Sequence, residues 1–160
     1  MAYMKGDSMK ILKTTTDIFY LPNNNEAVCI TTNGVVDKNG NAVMGKGIAL
    51  QAKQLFHCES MLGNYIKTYG NRCFNLGQYK RDNQIFTLFS YPTKHHWKES
   101  SDITLICKSA EQIVEMCNKF HISKCYLPPV GCGCGGLSWN IVEPWLSLAL
   151  DDRFIIVMRP

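Results

Sequence analysis

Residues 124–139 read KCYLPPVGCGCGGLSW, which joins a short apolar run to a glycine-rich loop and then to a polar helix start. Segment 124–127 is predicted to be a strand that Pro128 ends. Ser138 is a candidate N-cap for a helix to about Leu150, and Pro144 would bend that helix or shift its start. A strand, a glycine loop and a helix in this order are typical of an α/β domain.

The rest of the chain repeats this alternation. Apolar runs rich in β-branched and aromatic residues predict further strands at 10–13, 27–32, 76–79, 84–89 and 154–158. Apolar residues spaced three and four apart predict helices at 46–56, 60–70 and 103–120. Segments 33–45 and 90–101 are predicted as loops, the second of them polar. Strands that alternate with helices predict an α/β fold, with helices on both faces of a mostly parallel sheet.

Length and composition indicate one globular domain. The chain has 160 residues, of which 46% are hydrophobic and 19% charged, so it can bury a core and is not of the disordered class. No apolar run approaches the roughly 20 residues of a membrane span, and residues 1–10 lack the apolar middle of a signal peptide. We expect residues 1–8 to form an N-terminal extension and residues 9–160 to form the domain.

The cysteines and the charge bear on the compartment and the partners. Eight cysteines are scattered along the chain, and a domain of this size needs no disulfides. Without an export signal they are expected to be reduced thiols in the cytoplasm. The net charge of +4 is compatible with an anionic ligand but too small to establish nucleic-acid binding.

Gly45, Lys46 and Gly47 lead from a loop directly into a predicted helix, in a segment that begins with Asn33 and Gly34. Glycine allows close backbone approach, and a helix N-terminus offers unpaired N–H groups and a positive dipole end. Together they indicate a phosphate seat. It is not a Walker loop, because the Gly-Lys-Ser/Thr ending is missing. An ordinary tight turn explains these residues equally well.

The second glycine loop, 131–136, has four glycines in six residues. Its spacing matches a dinucleotide fingerprint, but too little chain follows it for the second half of such a fold. Exposed backbone amides indicate a ligand, most simply a pyrophosphate; a purely structural loop is the alternative. Cys132 and Cys134 are too close in sequence for a structural zinc pair, so no metal is expected. A thiolate nucleophile at Cys132 is a minor alternative to a thiol packed under the loop.

Two further groups of residues suggest chemistry. Lys94 precedes His95, His96 and Trp97 in a loop after a strand, where it would act as a nucleophile or as a point charge on a phosphate. The two histidines are more simply a solvated pair, and Trp97 a loop anchor. Asp17 suits a helix cap, although its carboxylate could also accept a hydrogen bond from an exocyclic amine such as that of adenine.

In this order and spacing, the motifs resemble those of the macrodomain family, which are modules that bind ADP-ribose. The segments that carry the resemblance are 16–18, 31–34, 43–49, 91–97 and 127–139. The similarity runs from about residue 10 to residue 157 and is greatest to the branch of the DarTG antitoxin macrodomain and the terminal ADP-ribose protein glycohydrolase. It implies a three-layer α/β/α fold with a mostly parallel mixed sheet.

The resemblance also implies the ligand-binding residues. Asp17 would bind the adenine amino group, with Ile18 beside it. The distal ribose and a phosphate would be held by Asn33 and by the turn of Gly45, Lys46, Gly47, Ile48 and Ala49. The pyrophosphate and the distal ribose would be wrapped by Gly131, Cys132, Gly133, Cys134, Gly135 and Gly136.

Lys94 matches the lysine that this branch uses for cleavage at the anomeric carbon, and is the expected catalytic residue. Some members add an aspartate, but Gly135 stands at that place here, as in antitoxin-like members, which favours Lys94 acting with the loop and the substrate. The implied function is hydrolysis of the bond between ADP-ribose and a nucleic acid or protein. The alternatives are a phosphatase acting on ADP-ribose 1″-phosphate and a reader without catalysis. We expect no cofactor, no membrane partner and a monomer.

Overall fold

Strands and helices alternate along the chain, as the sequence pattern predicts. The computed structural model describes residues 7–160. Its strands are β1 (Lys10–Lys13), β2 (Ala27–Thr32), β3 (Phe74–Arg81), β4 (Gln84–Pro92), β5 (Cys125–Leu127) and β6 (Phe154–Met158). Its α-helices are α1 (Gly47–Phe56), α2 (Glu59–Tyr69), α3 (Ile103–Lys119) and α4 (Trp139–Ala149). None of the helices in this described part is long and apolar enough to span a bilayer.

The strands form one sheet in the order β1-β6-β5-β2-β4-β3. Neighbouring strands are parallel except β3, which pairs with β4 in an antiparallel hairpin. The predicted α/β fold with a mostly parallel mixed sheet is therefore confirmed. Because β2 lies between β4 and β5, the carboxyl ends of all three strands open onto one edge of the sheet, where ligands bind in such folds.

Helices cover both faces of the sheet, which gives the three layers. Alternate residues of β2 show the division: Ala27 and Cys29 pack in the cluster with α3 and α4, whereas Val28 and Ile30 pack in the cluster with α1 and α2. All four are fully buried. Burial of a large apolar side chain such as Ile30 contributes about 1.5–3 kcal/mol, so a central strand buried on both faces anchors the fold.

The prediction that 90–101 is entirely loop was wrong at its start, because β4 continues to Pro92. Ser90 and Tyr91 are fully buried, and Thr32 pairs with Pro92. Thr93 N donates to Thr32 O of β2, so the neighbouring Pro92 nitrogen points to the other side, toward β3. The pairing of β3 with β4 extends only to Ser90. Proline is tolerated at position 92 because no ladder hydrogen bond needs its missing N–H. The remaining element boundaries differ from the predicted ones by a few residues at most.

Helix α4 begins next to Ser138, as predicted, and passes through Pro144 without ending there. Ser138 occupies the N-cap position, but its hydroxyl makes no capping hydrogen bond. Of the expected N-terminal extension, residues 1–6 lie outside the described residues. Ser8 forms an isolated antiparallel bridge with Asp151.

Residues 36–41 of the first glycine loop pack against helix α2. Ala42 N donates to Glu59 O at 2.9 Å, and Asp37 Oδ1 accepts hydrogen bonds from the N–H groups of Asn39 and Asn41. A Cβ atom at Gly63 in α2 would lie 2.1 Å from Gly40 O. The loop backbone therefore sits directly on the helix, and a glycine in the helix interior makes this contact possible.

All eight cysteines are free thiols. Cys29 Sγ lies 3.5 Å from Cys125 Sγ in the core. Burial raises the pKa of both thiols, and it raises the pKa of Cys73 to about 12. These buried cysteines are therefore protonated packing residues at neutral pH.

Candidate active site

A cleft of about 350 Å³ opens at the carboxyl ends of β2 and β4. Two loops form most of its walls: the first glycine loop between β2 and α1, and the second between β5 and α4. The predicted site residues that line the cleft are Asn33, Gly45, Lys46, Ala49, Lys94, Gly131, Cys132, Cys134 and Gly135. The sequence motifs thus meet at the sheet edge that the fold class predicts.

The first glycine loop is closed by the side chain of Asn33. Its Nδ2 donates to Val43 O and its Oδ1 accepts from Val35 N, both at 2.9 Å. Helix α1 then starts at Gly47, whose φ of +58° is one that residues with a side chain rarely adopt. The start of α1 therefore presents unpaired N–H groups beside the cleft.

The second glycine loop uses several of its amides for its own turn. Cys132 N, Gly135 N, Gly136 N and Leu137 N donate to carbonyl oxygens at 3.0–3.3 Å, all within residues 129–137. The amides of Gly133 and Cys134 take part in none of these four bonds. Fewer amides are therefore available to an anion than the four glycines alone suggest.

Gly135 is closely packed against Ser101. Ser101 N donates to Gly135 O at 2.8 Å, and a Cβ atom at Gly135 would lie 2.4 Å from Ser101 Oγ. Ser101 is 7% exposed, and its hydroxyl is buried without a hydrogen-bond partner. A side chain at position 135 would require the Ser101 hydroxyl to move.

The side chain of Lys94 connects the segment after β4 to the second glycine loop. Its Nζ donates to Cys134 O at 3.0 Å and to Trp97 O at 3.5 Å. Asn71 Nδ2 donates to Lys94 O at 3.0 Å, and Gly34 N donates to His95 O at 3.2 Å. These two hydrogen bonds hold the backbone around the lysine in place. An ammonium group is thereby placed at the cleft and against the second glycine loop.

His95 pairs with Asp102, which begins helix α3. His95 Nε2 lies 2.8 Å from Asp102 Oδ2, and Thr104 N donates to Asp102 Oδ1 at 2.9 Å. The hydrogen bond from His95 lowers the pKa of the Asp102 carboxyl below its ordinary value. His95 is not among the cleft-lining residues, so the pair supports the segment that carries Lys94.

Cys132 lines the cleft but is a poor nucleophile. Its Sγ donates to Val130 O at 3.7 Å, and burial raises the pKa of the thiol. The protonated thiol is the unreactive form. Among residues 7–160, no group of three or more His, Cys, Asp or Glu side chains is arranged to hold a metal ion.

Several predicted ligand-binding residues do not line the cleft itself: Asp17, Ile18, Gly47, Ile48, Gly133 and Gly136. Asp17 caps a short 3-10 turn by accepting a hydrogen bond from Phe19 N at 2.9 Å, and its Oδ2 accepts one from Gln51 of α1. The side chain of Ile18 is buried in the core beneath α1.

Sequence reasoning missed Asn71 and Ser101, because each contacts the site from a segment without a motif. Trp97, which we expected to anchor its loop, is 47% exposed and also lines the cleft. The position of Trp97, next to Lys94 and two histidines in a polar loop, was the local pattern that could have indicated an aromatic residue at the site. No local pattern in the sequence indicated Asn71 or Ser101.

No family model matches the chain. A curated relative, the DNA ADP-ribosyl glycohydrolase of Thermus aquaticus, is 31% identical over 131 residues, which are 79% of this chain and 34% of the relative. The chain spans about a third of the length of the curated relatives it matches.

Solved structures show the same similarity over nearly the whole chain. The macrodomain of Mycobacterium tuberculosis DarG has a TM-score of 0.72 and 26% identity, with 97% of this chain and 99% of that chain covered. The structure described as Thermosipho africanus DarTG in complex with ADP-ribose has a TM-score of 0.72 and 27% identity, with 93% and 41% covered. The fold, the cleft and these similarities together show that the chain belongs to the macrodomain family, in the branch that contains the DarG macrodomains.

Proposed function

We propose that this protein hydrolyses the bond between ADP-ribose and DNA. The names of the relatives support this reaction, and the ADP-ribose complex of the Thermosipho protein supports the ligand. The observation that carries the proposal is the position of Lys94 Nζ, which lines the cleft and lies 3.0 Å from Cys134 O of the second glycine loop.

The proposed binding mode uses both glycine loops. Asp17 and Ile18 serve the adenine, and Asn33 with the Gly45–Ala49 turn serves the distal ribose and a phosphate. The loop 131–136 serves the pyrophosphate, chiefly through the amides of Gly133 and Cys134. Grip on the pyrophosphate positions the remote sugar against Lys94, so binding energy far from the reacting bond lowers the barrier.

Lys94 is proposed to act as a donor rather than as the attacking group. Its Nζ donates to two carbonyl oxygens, which suits an ammonium, and an ammonium has no lone pair with which to attack carbon. In the proposed step, the oxygen of a water attacks the anomeric carbon. The glycosidic bond breaks, its electron pair leaves with the DNA group, and a proton from the water ends on that group. Lys94 stabilises the negative charge that develops on the leaving DNA group.

The phosphatase alternative finds less support in the geometry. Of the two groups it requires, Cys132 has a raised pKa, and His95 lies off the cleft and is paired with Asp102. The reader alternative uses the same cleft and differs only in the absence of turnover.

The setting of the domain is also a proposal. Free thiols suit the reducing cytoplasm. We further propose that the macrodomain comprises residues 9–160 and acts as a monomer.

Release of ADP-ribose from an ADP-ribosylated oligonucleotide tests the function. The wild type should release ADP-ribose, and Lys94→Ala should slow release by about 10²–10³-fold, the usual effect of removing one charge-stabilising donor. Lys80→Ala, an exposed lysine on β3, is the matched control and should behave as the wild type. Calorimetry should show that Lys94→Ala still binds ADP-ribose.

Two results would contradict the proposal. Binding of ADP-ribose by the wild type without release from DNA would leave only the reader function. Equal release by the wild type and Lys94→Ala would remove Lys94 from the reaction.

A further inference from the structure

Three consecutive side chains, those of His96, Trp97 and Lys98, form an exposed surface beside the cleft, called here the Trp97 shelf. Trp97 lines the cleft while nearly half of its surface remains open. The His96 and Trp97 ring centroids are 5.2 Å apart, at an interplanar angle of 31°. Lys98 Nζ lies 5.1 Å from the Trp97 ring centroid. The shelf therefore combines a flat aromatic surface with positive charge.

Hydrogen bonds within the segment hold the backbone that carries the shelf. His96 O accepts from Glu99 N, and His96 Nδ1 accepts from Lys98 N, both at 3.1 Å. Trp97 O accepts from Lys94 Nζ at 3.5 Å, which ties the shelf to the lysine of the proposed reaction. The backbone of the segment therefore needs little ordering when a ligand arrives, which favours binding.

The charges around the shelf favour a polyanion. Two ammonium groups lie near Trp97: Lys94 Nζ is 3.5 Å from Trp97 O, and Lys98 Nζ is 5.1 Å from the ring centroid. Of the nearby carboxylates, Asp102 is paired with His95, and Glu99, which directly follows Lys98, is exposed to solvent. A strand of phosphates thus finds cations at the shelf, and its bases find an aromatic face.

We propose that the Trp97 shelf binds single-stranded DNA, with one nucleobase stacked on the Trp97 ring and a neighbouring phosphate beside Lys98. The proposal rests on the proposed function, because it gives the DNA part of the substrate a place next to Lys94. Every base has a face that can stack on an aromatic ring. A base inside a duplex is already covered by its neighbours and must leave the stack first. The shelf therefore selects single-stranded over double-stranded substrate.

The test compares Trp97→Ala with Trp97→Phe, which keeps a ring, and with Trp145→Ala, which removes an equally exposed tryptophan on α4 outside the cleft. Trp97→Ala should raise KM for ADP-ribosylated single-stranded DNA by about ten-fold or more, the usual effect of losing one stacked base. Trp97→Phe should recover most of the loss. Trp145→Ala should be unchanged. Because Trp97 also lines the cleft, Trp97→Ala should weaken binding of free ADP-ribose by a smaller factor than it raises KM for DNA.

A second readout separates the shelf from the reaction. Unmodified single-stranded oligonucleotide should quench tryptophan fluorescence in the wild type and not in Trp97→Phe. Quenching without any release of ADP-ribose would support DNA binding by the shelf and would contradict only the proposed hydrolysis. An unchanged KM in Trp97→Ala, or no quenching, would overturn the shelf. The same holds if Trp97→Ala weakens binding of free ADP-ribose, or release from a protein carrier, as much as it weakens action on DNA.

Discussion

The tight contact between Gly135 and Ser101 makes a prediction at the scale of single residues. Gly135→Ala places a methyl group 2.4 Å from the buried Ser101 Oγ and 3.3 Å from Ser101 Cβ. We expect a loss of about 1–3 kcal/mol in the free energy of unfolding, the usual effect of overpacking. Gly135→Ala combined with Ser101→Gly should restore most of it. Urea unfolding of the wild type and of the two variants measures both changes. Equal free energies of unfolding for the wild type and Gly135→Ala would contradict the contact.

Individual residues of the site could be predicted only where they belong to a local motif. Lys94, Asn33 and the glycines stand next to other informative residues, so their chemistry is visible in the sequence. Asn71 and Ser101 reach Lys94 and Gly135 from 23 and 34 positions away. Contacts of that kind depend on the tertiary fold, and one polar residue in a loop gives no local pattern.

At the scale of elements, helix α3 depends on its N-cap. Asp102 accepts a hydrogen bond from Thr104 N, and its pKa is lowered by the hydrogen bond from His95. A carboxyl with a lowered pKa stabilises the folded state above its ordinary pKa, and this contribution is lost as pH falls through the folded pKa. Asp102→Ala should therefore reduce the free energy of unfolding by about 1 kcal/mol near neutral pH.

That difference between the wild type and Asp102→Ala should shrink at pH values below 3.8, the ordinary pKa of the carboxyl. Urea midpoints of both proteins across this pH range provide the measurement. A difference that stays constant with pH would mean that the ionised carboxylate does not stabilise the helix.

Gly63 predicts an unusual response in helix α2. Alanine in place of glycine in a helix interior normally stabilises by about 1 kcal/mol. Here the added Cβ would meet the backbone at Gly40 O and Ala42 N, at 2.1 and 2.8 Å. We expect Gly63→Ala to destabilise by about 1–3 kcal/mol instead. Gly45→Ala, with open space around it, is the control for stability. A thermal melt in which Gly63→Ala gains stability would contradict the packing of loop 36–41 on α2.

The elements themselves were largely predictable, because apolar periodicity survives in the folded protein. The run of buried apolar residues in β2 and the stripe of apolar residues along α3 have the predicted positions. The end of β4 was missed because Ser90 and Pro92 are unfavourable in a strand by composition. Its pairing with β2 and the hydrogen bond of Ser90 Oγ with Phe74 N outweigh that local preference.

At the scale of the whole molecule, one sheet buried on both faces brings three separate loops to the same edge. The parallel order β5-β2-β4 brings the ends of these strands side by side, so loops that are distant in sequence form one cleft. The fold class followed from the alternation of strands and helices. The strand order did not, because periodicity says which residues are buried and not which strands are neighbours.

A crystal structure of the protein with ADP-ribose tests the central claim most directly. The account predicts one nucleotide in the cleft, its pyrophosphate within hydrogen-bond distance of the Gly133 and Cys134 amides, and its anomeric carbon facing Lys94 Nζ. A nucleotide bound elsewhere, or a Lys94 side chain turned away from the sugar, would contradict it.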